Sequence, residues 1–255
     1  MTGPHRQLKE VVLGRGDYAA GGACTLPFLD QDGARRRRPM VFGEVMADPT
    51  DCDQLVASMF SGRASNPSDW AVMWKEIGAD GICIRFCDTN PDNAVALVRD
   101  ISDRTRLPIA VSADGCTLAS MAEIDDTVLV LLGSPASAGI HAMATPVSSI
   151  EEARDAPERD RRMLLVTGAF PDGEPLNLMR ALRTAALEGD ERCDSPVIYD
   201  ATPVWDVCFE NARSASMAEG EAALTAMLSG ADALIVRGPG AADMARVYGE
   251  ELADL

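Results

Sequence analysis

Polar side chains recur in this sequence directly after short apolar runs, and they are its only concentrated source of chemistry. Glu44 and Asp48 follow one run, Asp88-Thr89-Asn90 a second, and Ser112 with Asp114 a third. Gly133-Ser134, Thr167-Gly168, Asp200-Ala201-Thr202 and Gly238-Pro239-Gly240 repeat the arrangement further on. Carboxylates, hydroxyls and amides in such positions can hold a ligand by hydrogen bonds. Covalent catalysis is poorly provided for. The histidines are His5 and His141, no nucleophile elbow surrounds His141, and the lysines, Lys9 and Lys75, sit away from strand ends. Metal chemistry is equally thin, since no Cys-x-x-Cys exists. Cys83 and Cys87 share a strand face but stand too far apart for one ion. Cys83, Cys116 and Cys208 read as buried small thiols.

Three further features have two readings each. Arg85 and Arg237 either pair with carboxylates inside the fold, the commoner outcome, or bind an anion at its mouth. Gly238-Pro239-Gly240 forms a tight turn or offers N–H groups to a phosphate, with the turn favoured. Trp205, with Asp206 and Phe209, packs under a long loop or faces a flat ligand or partner.

The elements that must position these residues alternate. Strands are predicted at 39–46, 82–87, 108–112, 127–132, 163–167, 196–199 and 233–236, with a weaker one at 140–145. Helices are predicted at 68–77, 92–104, 117–124, 148–156, 176–187, 217–228 and 241–252. Between 132 and 140 a helix is missing or reduced to one turn. Glycines and Asn, Asp or Ser residues punctuate the pattern as caps and stops; Asp88, Thr89 or Asn90 can cap the helix that Pro91 begins. Helix, Gly-Ala-Asp turn, strand and arginine occur twice, at Gly78–Arg85 and Gly230–Arg237. Eight strands with intervening helices predict an α/β fold, a single (β/α)8 TIM-type barrel. An open doubly wound sheet is the runner-up, without the glycine fingerprint that would support it. Segments 8–13 and 23–28 predict a β-hairpin ahead of the barrel. The predicted division is therefore 1–38, hairpin and loop, and 39–255, barrel. The four consecutive arginines at 35–38 read as a solvated loop, with contact to an anion as the alternative.

Composition sets the outer limits. Lys+Arg 23 against Asp+Glu 40 gives a net charge of −17, which argues against nucleic acid and anionic membranes as main partners. No apolar run reaches membrane-spanning length, and the amino-terminal stretch has no signal-peptide core. Seven scattered cysteines suit a reducing cytoplasm better than a disulfide framework.

Ala79-Asp80-Gly81-Ile82-Cys83-Ile84-Arg85-Phe86-Cys87-Asp88-Thr89-Asn90-Pro91 resembles the second strand of the small (delta) subunit of the corrinoid iron–sulfur protein of acetyl-CoA decarbonylase/synthase. The similarity returns over Met179 to Glu191 and over Ser195-Pro196-Val197-Ile198-Tyr199-Asp200-Ala201-Thr202-Pro203-Val204-Trp205. Leu26-Pro27-Phe28 and Leu228-Ser229-Gly230-Ala231-Asp232-Ala233 also fit. The resemblance implies a barrel paired with a large subunit that carries the iron–sulfur cluster, so that none is held by this chain. A cobamide, the methyl carrier of the reductive acetyl-CoA pathway, would lie over the carboxyl-end face between the two. Methyltransferase and acetyl-CoA synthase would be transient partners, and this chain would supply polar contacts rather than catalytic side chains. Thr202 and Trp205 carry over by position. Asp88, Thr89, Asn90, Ser112, Asp114, Ser134, Asp200 and Gly238 are cofactor-contact candidates by their place on the rim. The sequence departs from the family at Asp200-Ala201-Thr202-Pro203, where small and amide residues are expected. Two alternatives stand beside this one. In a pterin-binding methyltetrahydrofolate methyltransferase, Asp88, Asn90, Asp114 and Asp200 would hold the pterin. A shortened structural paralogue would pair with the large subunit without cofactor.

Overall fold

A computed structural model describes residues 8–14, 18–22, 37–87, 89–121, 124, 129–132, 142–157, 161–168 and 173–254. Eight strands close into a barrel: β3 (Met40–Met46), β4 (Gly81–Arg85), β5 (Ile109–Ser112), β6 (Leu129–Leu132), β7 (Ala142–Pro146), β8 (Arg162–Thr167), β9 (Val197–Asp200) and β10 (Ala233–Val236). Each is parallel to both neighbours, and β10 closes the ring by pairing Ala233 with Met40 and Val236 with Gly43. The expected α/β barrel is therefore what the chain forms, including the weak strand, now β7. The expected gap in helix between 132 and 140 falls outside the described residues.

Helices α1 (Gln54–Ser58), α2 (Pro67–Ile77), α3 (Pro91–Thr105), α4 (Gly115–Ser120), α5 (Ile150–Asp155), α6 (Glu174–Leu187), α7 (Ala212–Leu228) and α8 (Pro239–Asp254) surround it. Local sequence explains their ends. Asn66 accepts from Ser68 N and Asp69 N, Pro67 occupies the first turn, and Gly78 ends α2 at φ 97°, where a side chain would be strained. Asn90 and Pro91 start α3 in the same manner, with the Asn90 side chain accepting from Asp92 N. The sequence does not predict α1, because five residues under an Asp53 cap carry too little periodicity to be seen. Helix α7 begins five residues before the predicted 217, at the Asn211 cap.

Ahead of the barrel, β1 (Glu10–Leu13) and β2 (Tyr18–Gly21) form an antiparallel hairpin. The second strand predicted from sequence, 23–28, lies outside the described residues. Among the described residues Tyr18–Gly21 is the strand that pairs with β1, and Gly21 takes φ +88° there. A Cβ at Gly21 would stand 2.1 Å from the Lys9 carbonyl oxygen.

The strands alternate cleanly. Met40, Phe42, Cys83, Ala110, Ala142, Met163, Ile198 and Ile235 form one buried cluster inside the barrel, joined by Val11, Leu13 and Ala20 of the hairpin. Val41, Val45, Ile82, Ile84, Val111, Leu164, Val166 and Leu234 belong to a second cluster shared with the helices. Close approaches register the layers. A Cβ at Gly43 would lie 2.1 Å from Trp74 Cδ2, and one at Gly81 would lie 2.3 Å from Phe42 Cε1. Trp70 and Trp74 are fully buried against Phe60, at ring separations of 5.0 and 5.2 Å. Burial of side chains this size contributes about 2–3 kcal/mol each.

The repeated Gly-Ala-Asp turn has one physical role in both copies. Asp80 N donates to Val41 O at 2.8 Å while Val41 N donates back to Asp80 Oδ2 at 2.9 Å. Asp232 N donates to Val197 O at 2.8 Å while Val197 N returns to Asp232 Oδ2, also at 2.8 Å. An arginine neutralises each carboxylate: Arg38 makes a two-pronged contact to Asp80, each prong 2.6 Å, and Arg183 reaches Asp232 at 2.7 Å. Arg37 pairs with Glu10 at 2.8 Å, so the described half of the four-arginine run is bound to the chain's own carboxylates. Among the described residues, no helix is long and apolar enough to cross a membrane.

Candidate functional site

The inward face of each strand changes character at its carboxyl end. Phe42 gives way two residues on to Glu44, Cys83 to Arg85, Ile198 to Asp200 and Ile235 to Arg237. Period-two alternation therefore delivers four charges to the mouth of the barrel. They neutralise one another there. Arg85 Nε donates to Glu44 Oε1 at 3.0 Å, and its Nη2 donates to Asp200 Oδ2 at 2.5 Å and to Thr202 Oγ1 at 3.3 Å. Arg237 donates through Nε to Glu44 Oε2, and through Nη2 to Oε1 at 3.3 Å. Thr202 completes the shell of Asp200, donating to Oδ1 from its hydroxyl at 2.7 Å and its amide at 3.1 Å. Of the two expectations for Arg85 and Arg237, pairing inside the fold is the one realised.

Burial alone would pull the Arg85 pKa down, but the negative groups around it, Asp200 and Glu44 among them, hold it well above its ordinary value. Glu44 is 1% exposed, and this buried carboxylate lies between two half-buried guanidinium groups. Beneath them burial pushes the Cys83 thiol up to about 12, which keeps it a neutral, inert side chain.

A second buried carboxylate fixes the end of β10. Glu219, fully buried on α7, accepts from Arg237 N at 2.6 Å and from Gly238 N at 2.7 Å. Ser216, one turn earlier, accepts from Ala241 N at 3.1 Å. These are amides that a phosphate at the start of α8 would need, so the turn reading of Gly238-Pro239-Gly240 holds and its donors face inward. Gly238 has no room for a side chain: a Cβ would stand 2.6 Å from Ser216 Oγ. Burial raises the Glu219 pKa to about 8, against the lowering pull of the Arg237 amide, the Trp205 indole and the Gly238 amide. Trp205 acts from beyond regular hydrogen-bond geometry, for its Nε1 is buried and makes no hydrogen bond among the described residues.

The other expected site residues divide. Asp88 and Ser134 lie outside the described residues. Asp200, Thr202, Trp205 and Gly238 are brought together at the mouth by β9, the 3-10 turn over Thr202–Asp206, and the start of α8. Thr89, Asn90, Ser112 and Asp114 belong to the loops after β4 and β5, where Thr117 Oγ1 donates to Thr89 O at 3.5 Å. Asn90 and Asp114 serve as helix caps; the Thr117 amide at 2.7 Å holds the Asp114 carboxyl below its usual range. Trp205 is half-buried and packs against the main core. The reading of Cys116 and Cys208 as buried thiols is corrected, for both are exposed, and only Cys83 of the three is buried. Cys116 sits in the first turn of α4 and Cys208 in the loop beyond the 3-10 turn, neither on a strand.

Sequence reasoning missed a cavity of ≈ 300 Å³ beside the mouth. Glu44 and Arg237 line it with Trp70, Trp205 and the carboxylates Asp51, Asp53 and Asp206. Cys52 also lines it, its thiol raised to about 11, chiefly by burial. The crowding of Asp48, Asp51 and Asp53 after the first barrel strand was the available signal.

No protein-family model matches the sequence, and no curated protein matches it. Solved structures do. The 7,8-dihydropteroate synthase of Vibrio fischeri superposes with a TM-score of 0.59 at 12% identity, covering 96% of this chain and 98% of its own. The Yersinia pestis dihydropteroate synthase with a pterine–sulfa conjugate gives 0.57 at 13%, covering 95% and 98%. The Xanthomonas albilineans enzyme with 4-aminobenzoic acid gives 0.52 at 15%, covering 84% and 92%. At such identities the likeness is one of architecture: this chain is a (β/α)8 barrel built on the same plan as the dihydropteroate synthases.

Proposed function

We propose that this chain is the small, barrel subunit of a corrinoid iron–sulfur protein, presenting its carboxyl-end face to a cobamide held jointly with a large subunit. The observation that carries this reading is the self-neutralised mouth. Glu44, Arg85, Asp200, Thr202 and Arg237 satisfy one another, which leaves the barrel axis closed to an inserted ligand. A ligand at this end would therefore meet the rim side chains from outside the barrel rather than enter it. The donor set fits that role. Thr89, Ser112 and Trp205 are groups that hydrogen-bond or pack, and Asn90 and Asp114 each keep polar capacity beyond their helix caps, whereas Thr202 is already engaged by Asp200 and Arg85. Cobalt would carry the methyl group; these side chains would orient the ring and exclude water from one side of it. The large subunit would bring the iron–sulfur cluster, and methyltransferase and acetyl-CoA synthase would visit in turn.

Co-expression with a candidate large subunit in a cobamide-supplied host, with the tag on this chain, tests the reading. A corrinoid spectrum in the co-eluting pair, absent from either chain alone, is the expected result. Pairing without colour would identify a cofactor-free structural paralogue, and absence of pairing would refute the subunit assignment. A pterin-binding methyltransferase is the second reading, favoured by the shared architecture with enzymes solved with pterin compounds. Against it, Asp200 has both oxygens engaged, and Asn90 and Asp114 each spend an oxygen on a helix cap. Saturable pterin binding by the isolated chain would decide for it.

A further inference from the structure

Three thioethers converge on one patch of the helical layer. Met59 closes α1, Met217 stands on α7 and Met244 on α8, and with Ala212, Arg213 and Pro239 they line a groove of ≈ 550 Å³. Helices α7 and α8 meet closely beside it. A Cβ at Gly220 would stand 2.6 Å from Met244 Sδ, so that side chain is held against α7. Met217, by contrast, is 52% exposed. One exposed apolar side chain is ordinary on a protein surface, but methionines from three elements around one depression make an adaptable apolar wall. Charge adds an independent observation. Among the described residues no carboxylate lines the groove, and the exposed Arg213 guanidinium makes no ion pair or hydrogen bond. A chain of net charge −17 has carboxylates in excess, yet this cation is left without one. Arg213 and Met217 stand at i and i+4 on α7, so the cation and the exposed thioether share one face.

We propose that this groove docks a partner protein through an acidic amphipathic helical segment. Two apolar side chains one turn apart would seat among the methionines, and a carboxylate beside them would meet Arg213. The thioethers shape themselves to the apolar residues, and the guanidinium selects the charge. A second copy of this chain is a poorer occupant. A twofold contact here would set groove against groove and Arg213 toward its own copy, and each copy carries −17. Glu44, Arg85, Asp200 and Thr202 of the mouth do not line the groove, so the inference is independent of the corrinoid reading.

Panning a displayed library of randomised peptides, each about 14 residues long, on the full chain tests the proposal, with Met217→Glu as the counter-target. Enriched peptides are expected to share two apolar residues at i and i+3 or i+4 and an aspartate or glutamate within a turn of them. One such peptide, synthesised and followed by fluorescence anisotropy, should bind saturably in the range of about 1–100 μM. Replacing its carboxylate by the amide is expected to weaken it about three- to tenfold. Arg213→Ala should make the acid and amide versions equal, and Arg213→Glu should reverse the preference toward a version with lysine in that place. Both substituted positions are exposed, so an unchanged Tm is expected of each variant. Equal enrichment on the full chain and on Met217→Glu, enriched peptides without a shared acidic residue, or indifference of the acidic peptide to Arg213→Ala would each overturn the proposal. Self-association of the chain that Met217→Glu abolishes would give the groove to a second copy and overturn it as well.

Discussion

Arg85 Nη2 stands 2.5 Å from Asp200 Oδ2, although their strands, β4 and β9, are separated by β3 and β10 in the ring. The guanidinium thus spans the mouth, and both partners are largely removed from water. Removing one member of such a pair leaves the other charged and unpaired. Arg85→Met is expected to cost about 3–5 kcal/mol by this mechanism. Asp200→Asn, which leaves Arg85 with Glu44, should cost about 1–2 kcal/mol. Urea unfolding of both variants checks the order; equal costs would mean that Glu44 gives Arg85 no support once Asp200 is neutral.

Glu219 gives stability a pH dependence of definite sign. Its carboxyl titrates near 8 in the folded chain, pushed up mainly by burial, against an ordinary value of 4.5. Between those values the folded chain retains a proton that the unfolded chain has lost, so stability falls as pH rises from 4.5 to about 8 and then levels. Glu219→Gln is expected to flatten that part of a Tm-versus-pH curve. An unchanged slope in the variant would assign the dependence to other groups.

Helix α2 leaves no space above β3. Gly43→Ala is expected to destabilise by about 1–3 kcal/mol, because the new methyl would meet the Trp74 ring. Trp74→Leu should be costly by itself yet relieve part of the Gly43→Ala penalty. A double-mutant cycle of unfolding free energies measures that coupling, and strict additivity would contradict the contact.

The six described cysteines should separate by reactivity. Cys87, Cys116 and Cys208 are exposed, whereas Cys83 and Cys193 are buried and Cys52 is half-buried with a raised pKa. Ellman's reagent on the native protein, read by mass spectrometry of the labelled peptides, is expected to modify the first three rapidly. Cys83 should react only after unfolding, as burial holds its pKa near 12.

The paired Gly-Ala-Asp turns should be energetically equivalent. Asp80→Ala and Asp232→Ala each strand a backbone amide and an arginine, and about 2–3 kcal/mol is expected from either. Chemical denaturation of both variants provides the comparison, and a cost at only one turn would show the repeat to be formal rather than physical.

These residues also mark how far the sequence can be read. Strand positions such as 82–87 and 233–236 are legible because alternation, turn glycines and helix caps agree locally. The pairing of Arg85 and Arg237 is legible because a cation on an inward strand position needs a carboxylate. Glu219 is not, since its role depends on α7 lying against the β10–α8 turn, a tertiary fact without local trace. Cys116 and Cys208 mislead because residue type speaks for burial where position speaks against it: loops and first turns leave even a thiol in water. The cavity at Asp51, Asp53 and Trp70 needs two elements to meet, and α1, which forms one side of that meeting, is too short to announce itself.

Asp232 sits at the entry to the seam where the earliest and latest strands of the ring pair. Its side chain and amide bind Val197 on β9, and its carbonyl oxygen accepts from Met40 N on β3. During synthesis, β3 must wait with an unpaired edge while about 190 further residues emerge, from Met46 to Ala233. The hairpin and the Arg38–Asp80 clamp can form meanwhile, because their partners are made early. Closure at Asp232 therefore needs the last strand of the ring to have been made. It brings Arg237 to Glu44, so completing the mouth and sealing the ring depend on the same strand.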